Sequence, residues 1–219
     1  MIYNILFCFL IFMIYSFIGW FLEVIAVLAV KKRLMNRGFL LGPYCPIYGF
    51  GGLILLLVLD GFKNDPINLF VIFAVYASIL EYLVSYLMER FFKARWWDYS
   101  HIKFNLNGRI CLSNALLFGF LGLLIVFFFN PFLLNVLRSI DQSIIIVSSS
   151  ILFVILIIDC ICTFNIVTKI KKTFINKSDN TEELNEKIKR IIKTSHIVKA
   201  FPLIKEKIFK KVDENNEKI

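Results

Sequence analysis

The chain has 219 residues, of which 58% are hydrophobic, with a mean hydropathy of +0.74, 24 phenylalanines and a formal net charge of +9. A water-soluble domain of this length has no core large enough to bury so much apolar surface. The apolar residues also fall in runs close to the roughly 20 residues that a membrane-spanning helix needs. The composition therefore excludes a soluble globular protein and predicts an all-α integral membrane protein.

The apolar runs predict about five transmembrane helices, which form a membrane domain over residues 1–167. The predicted spans cover residues 3–30, 46–59, 67–88, 110–129 and 143–167. The first run lacks a basic leader and a small-residue cleavage site, so we expect it to be retained as a helix. Asp60-Gly61 and Asn130-Pro131 are predicted to be turns, because glycine and proline end helices.

The distribution of basic residues predicts the orientation of the chain in the membrane. Of the 25 Lys and Arg, 23 lie in the first loop, the third loop or the C-terminal tail, which share one side if there are five crossings. Only Lys63 and Arg138 lie on the other side. Because basic loops remain in the cytosol, we expect the N-terminus outside and the C-terminus inside.

Residues 168–219 are predicted to form a basic cytosolic tail with 14 basic and 8 acidic residues. Apolar residues recur at helical spacing before and after Pro202, which predicts two amphipathic helices. The apolar residues before the proline are Leu184, Ile188, Ile191 and Ile192. Those after it are Leu203, Ile204, Ile208 and Phe209. Such helices lie on an anionic lipid surface, or form a soluble pair that binds a protein partner. The lipid bilayer is thus an expected partner, and nucleic acid is not.

The sequence lacks the motifs of several enzyme and metal-binding classes. Five cysteines in or beside apolar runs do not suggest a disulfide framework, and Cys160 and Cys162 have no second ligand pair to complete a metal site. There is no G-x-x-x-x-G-K-[ST] motif, so the chain cannot hydrolyse ATP with a P-loop of its own. We expect no metal, no cofactor and no catalytic residue, which favours a protein that is not an enzyme.

Three acids, Glu23, Glu81 and Asp159, lie inside predicted spans. At about 1.5 Å per residue, each lies about 12–15 Å from the basic end of its helix. A charge at the centre of a span costs about 2.5–3.5 kcal/mol, so each acid needs a partner, a proton or water. Polar residues share their helical faces: Ser16 and Gly19 with Glu23, and Ser78, Ser85 and Glu89 with Glu81. Residues on such faces either form hydrogen bonds between helices or line a functional cavity.

Residues 37–52 predict an irregular entry into the second span. Arg37 and Gly38 precede Pro43-Tyr44-Cys45-Pro46, whose two prolines prevent a continuous helix. Irregular backbone at membrane depth is tolerated only against protein or a wet cavity, so the segment is interpreted as a broken or re-entrant entry. The alternative is an ordinary interfacial loop with Pro46 at a helix start.

The third loop, residues 90–109, is aromatic and basic. Trp96, Trp97 and Tyr99 beside arginine and lysine are typical of the aromatic belt at a membrane surface. Asp98 with His101 is a possible acid–base pair, but nothing else in the loop completes a catalytic set.

Several motifs resemble those of the putative ABC-transporter type IV (CmpB) permease family. They are residues 17–23 (FIGWFLE), 36–38 (NRG), 42–49 (GPYCPIYG), 80–82 (LEY), Glu89, 96–100 (WWDYS) and 104–112 (FNLNGRICL), which includes Asn107 and Arg109. The resemblance covers about residues 14–131 and leaves the last helix and the tail outside. It implies a multi-pass protein of the bacterial cytoplasmic membrane without a nucleotide-binding domain. Five spans are few for a complete permease, so an ATPase partner subunit, another subunit or a homodimer would be required.

These observations support three hypotheses. The first is a permease-like subunit in which Glu23, Glu81 and Asp159 line a cavity shaped by the segment of Gly38, Pro43, Tyr44, Cys45 and Pro46. The second is a membrane-embedded enzyme on lipid-linked or apolar substrates, with Arg37, Asp98 and Arg109 binding a headgroup. The third is a scaffold whose tail recruits partners.

Overall fold

The computed structural model describes residues 2–32, 36, 38–92 and 97–175. The predicted helices of the tail beyond residue 175 lie outside these residues. The helices are α1 (Ile2–Lys31), α2 (Pro46–Leu57), α3 (Pro66–Phe92), α4 (Leu112–Leu124), α5 (Asn130–Arg138) and α6 (Gln142–Ile175), with a short 3-10 turn at Leu59–Phe62. Between α3 and α4, strands β1 (Asn105–Leu106) and β2 (Ile110–Cys111) form an antiparallel hairpin.

The predicted all-α membrane fold is confirmed. Within the described residues, four helices are long and apolar enough to cross a membrane: Ile2–Ala29, Pro66–Phe91, Leu112–Arg138 and Gln142–Ile166. The second predicted span is occupied by α2, whose 12 residues extend about 18 Å, less than the roughly 30 Å of a bilayer core. The backbone of 38–45 before α2 is non-helical, as Pro43 and the following Pro46 predict.

The predicted helix end at Asn130-Pro131 is wrong. The helix that begins at Leu112 continues through this dipeptide to Arg138, because a π turn at Ile125–Phe129 precedes the proline. Within this turn the amide of Asn130 donates to the carbonyl of Ile125, five residues back. The wider turn lets the chain accommodate a residue that lacks a backbone donor, so the proline does not end the helix.

Close contacts between glycine and aromatic side chains hold the helices in two pairs. In the pair α1–α2, added Cβ atoms at Gly49 and Gly52 would overlap Phe12 and Tyr15. In the pair α3–α4, Gly119 and Gly122 accept the rings of Phe70 and Phe73 in the same way. Small residues allow backbones to approach closely where lipid provides no hydrophobic driving force.

The five-crossing topology gives a testable prediction, because α2 alone is short. We expect reporter fusions after Asp65 and Ser139 to be extracytoplasmic, and fusions after Arg33, His101 and Lys177 to be cytosolic. Paired phosphatase and fluorescent-protein fusions would measure this. A cytosolic signal from the Asp65 fusion would mean that α2 does not cross the membrane.

Candidate functional site

The polar face of α1 packs against the start of α2. Ser16 is fully buried, and Gly19 leaves room for the ring of Tyr48, which an added Cβ would overlap. The ring continues toward Glu23, and the Tyr48 hydroxyl donates to its Oε1 over 2.6 Å. Ser16, Gly19 and Glu23 therefore form one packed face, and Glu23 lies at its C-terminal end.

Glu81 of α3 lies close to this face and is only 7% exposed. Its Oε1 accepts a hydrogen bond from the Tyr99 hydroxyl over 3.1 Å, and Asn114 of α4 also lies within hydrogen-bonding reach. The charges of Glu23 and Glu81 interact with each other, and both interact with Tyr48. We call these five residues the acid junction, because they join the helix pairs α1–α2 and α3–α4.

Tyr99 reaches Glu81 from a segment that the β-hairpin holds in place. The Tyr99 amide donates to the carbonyl of Gly108 over 2.8 Å. Asn107 and Gly108 both have positive φ, at 54° and 66°, and the Arg109 amide closes the turn onto Leu106. This is the type I′ turn that Asn-Gly favours, since both central residues tolerate positive φ. Burial and the nearby charge of Glu81 raise the pKa of Tyr99, so its hydroxyl remains a donor.

Arg109 ties the hairpin to α3. Its Nη2 lies 2.8 Å from Oε2 of Glu89, and its Nη1 donates to Ser85 over 3.4 Å. The guanidinium carbon also lies 5.5 Å from the ring centroids of Tyr82 and Tyr86. An ion pair combined with aromatic faces is an arrangement that arginine suits better than lysine. These contacts occupy Arg109, so the structure gives no specific support to its predicted role as a headgroup ligand.

Asp159 forms a separate structure, which we call the Asp159 latch. Its Oδ1 accepts from the Leu41 amide (2.9 Å) and the Thr163 hydroxyl (2.8 Å), while Oδ2 accepts from the Gly42 amide (2.7 Å) and the Tyr44 hydroxyl (2.5 Å). Both oxygens thus have two donors. Asp159 therefore fastens the irregular segment 38–45 to α6, and neither Glu23 nor Glu81 is among its hydrogen-bond partners in the described residues.

The remaining candidate residues of segment 38–46 lie before α2 or in its first turn. Gly38 is buried and donates to Asn36, and the Cys45 amide donates to the Ser16 carbonyl over 2.9 Å. Pro46 occupies the first turn of α2, and Pro43 is exposed. Arg37 lies outside the described residues.

Of the loop candidates, Asp98 forms a local turn and Asn107 links the hairpin to α3. Asp98 accepts from the Ser100 amide over 2.9 Å, which forms a local turn. The Asn107 amide donates to the Tyr82 hydroxyl over 3.0 Å. Within the described residues, no group of three or more His, Cys, Asp or Glu could hold a metal ion.

Sequence reasoning missed several partners of the acids. Tyr48, Tyr99 and Thr163 were not predicted to donate to them, since tyrosine near a membrane surface is typical of the aromatic belt. The hairpin was also missed, although Asn107-Gly108 is a strong short-range signal for a type I′ turn. Recognising that turn would have placed Tyr99 beside the neighbouring helices.

Comparison with known proteins returns one family. The family described as "Putative ABC-transporter type IV" matches residues 10–164. The match includes most of α6 and the Asp159 latch, so the expectation that the last helix lies outside the resemblance is wrong. No curated protein and no solved structure matches the chain.

Proposed function

This chain belongs to the family described as "Putative ABC-transporter type IV", and from that membership we propose that it is a permease-like membrane subunit of a transporter. The four long apolar helices among the described residues support a multi-pass location, which we assign to the bacterial cytoplasmic membrane. ATP hydrolysis in this scheme belongs to a separate ATPase subunit. Two copies of the chain, or one copy with another membrane subunit, would complete the pathway.

The observation that carries the proposal is the acid junction. Acids inside membrane spans mark substrate and ion pathways, because an isolated charge there is unfavourable. Glu23 and Glu81 converge from two helix pairs, and hydroxyl and amide groups surround them. An arrangement that served only to join helices would not need two acids whose charges repel each other.

The hairpin is the proposed contact for the ATPase. Phe104 and Leu106 are 79% and 55% exposed, on the side that the positive-inside rule assigns to the cytosol. Arg109 connects the same hairpin to α3, and Tyr99 connects the adjoining segment to Glu81. A movement imposed on the hairpin would therefore reach the acid junction directly, which is the coupling that an ATP-driven transporter needs.

Copurification tests this proposal. We expect a tagged wild-type chain, extracted in mild detergent, to retain an ATPase subunit in a fixed ratio, and the double variant Phe104→Ser, Leu106→Ser to lose it. The matched control is Phe62→Ser, an exposed apolar residue in the turn between α2 and α3, which should retain the ATPase. Stoichiometry would be measured by quantitative mass spectrometry and light scattering. Absence of any ATPase from the wild-type preparation, after mild crosslinking in membranes, would contradict the proposal.

A further inference from the structure

Glu81 has an oxygen without a partner. It is only 7% exposed, and its Oε2 is buried with no hydrogen-bond partner among the described residues. Glu81 forms no ion pair with a basic side chain of the described residues, and Arg109 is paired with Glu89 instead. Most buried side-chain polar atoms have a partner, so such an atom calls for an explanation.

The groups around Glu81 are oxygens and an amide. The Tyr99 hydroxyl donates to Oε1 over 3.1 Å, and the Asn114 side chain approaches from α4. The other titratable groups that interact with Glu81 or Tyr99 are Glu23, Tyr48 and Cys111, and Cys45 in turn interacts with Tyr48. None of these supplies a positive charge. A carboxylate that is buried in a low-dielectric site without a neighbouring positive charge is stabilised by binding one cation.

We propose that the Oε2 of Glu81 binds one small monovalent cation, either a proton or an alkali-metal ion, which exchanges with the cytosol past Tyr99. Carboxylate, hydroxyl and amide oxygens are ligands for hard cations, and a single acid with one open oxygen balances a single charge. Tyr99 is half-buried and belongs to a loop, so it lies between the site and the aqueous side. A role of the bound cation as a coupling ion rests on the proposed transport function. Binding of the cation to Glu81 does not require transport.

Infrared spectroscopy of the full chain in nanodiscs tests the proposal. A protonated Glu81 should give a carboxylic-acid carbonyl band that disappears as pH is raised and is missing in Glu81→Gln. The control Asp65→Asn alters an exposed acid that accepts from Asn68, so the band should persist. Tyr99→Phe should shift the band frequency, because the hydroxyl no longer donates; this second variant decides the assignment if Glu81→Gln fails to accumulate.

Salt distinguishes the two cations. At fixed pH, loss of the band in sodium or lithium but not in choline identifies an alkali ion that competes with the proton. A band that responds only to pH identifies a proton site. A band that responds to neither pH nor salt overturns the proposal. Identical spectra of the wild type and Glu81→Gln at every pH and in every salt also overturn it. Because no transport is measured, failed copurification of an ATPase with an intact, titrating band would refute the transport role alone.

Discussion

Replacing Asp159 by alanine is expected to release the segment 38–45 from α6 and to destabilise the protein strongly. The carboxylate accepts two backbone amides, from Leu41 and Gly42, and the hydroxyls of Tyr44 and Thr163. Each buried donor that loses its acceptor costs on the order of 1–3 kcal/mol, and water is scarce at this depth. We therefore expect a large fall in the thermal unfolding midpoint in detergent.

Asparagine at position 159 should not rescue the latch, because its NH2 group would face a backbone donor. The matched control is Asp141→Asn, the same change at the exposed N-terminal end of α6, where Asp141 accepts from the Ser143 amide over 2.8 Å and asparagine caps equally well.

Labelling of the buried Cys45 by a maleimide, with the other four cysteines replaced by alanine, reports release of the segment. If Cys45 in Asp159→Ala is labelled as slowly as in the wild type, and the variant is as stable, the latch does not hold the segment.

Gly52→Ala is expected to disrupt the α1–α2 pair, although alanine is the better helix former by about 1 kcal/mol. Its Cβ would overlap the ring of Tyr15, whose hydroxyl donates to the buried Asn130. Moving that ring would leave the side-chain oxygen of Asn130 without its donor inside the apolar core. Overpacking costs about 1–3 kcal/mol, and the orphaned polar group adds to it.

Gly51→Ala provides the control one residue away. At Gly51 an added Cβ would meet only Phe73, at an ordinary 3.9 Å. The two variants share the same helix and the same change in helix propensity, so their difference isolates the contact with Tyr15. Fluorescence-detected size-exclusion chromatography after heating would measure it. Equal stability of the two variants would mean that α1 and α2 can separate slightly without loss of stability.

The sequence by itself determined the class of the protein and the approximate location of its helices. Long apolar runs form helices in a membrane, because each backbone polar group must be hydrogen-bonded within the chain when lipid surrounds it. The pattern also identified the polar faces that carry Glu23 and Glu81, since residues three, four and seven apart lie on one side of a helix.

Only the tertiary structure decided how the acids are used. The sequence pattern places Glu23, Glu81 and Asp159 at similar depth. Among the described residues, however, Asp159 has donors on both oxygens, whereas one oxygen of Glu81 has none. Whether Pro131 ends a helix also depended on a π turn that local propensity does not predict. Depth and periodicity are local properties of a helix, whereas the partner of a buried acid comes from other elements: Tyr44 for Asp159, Tyr99 for Glu81. The long-range packing that brings these hydroxyls to the acids distinguishes a latch from an open site.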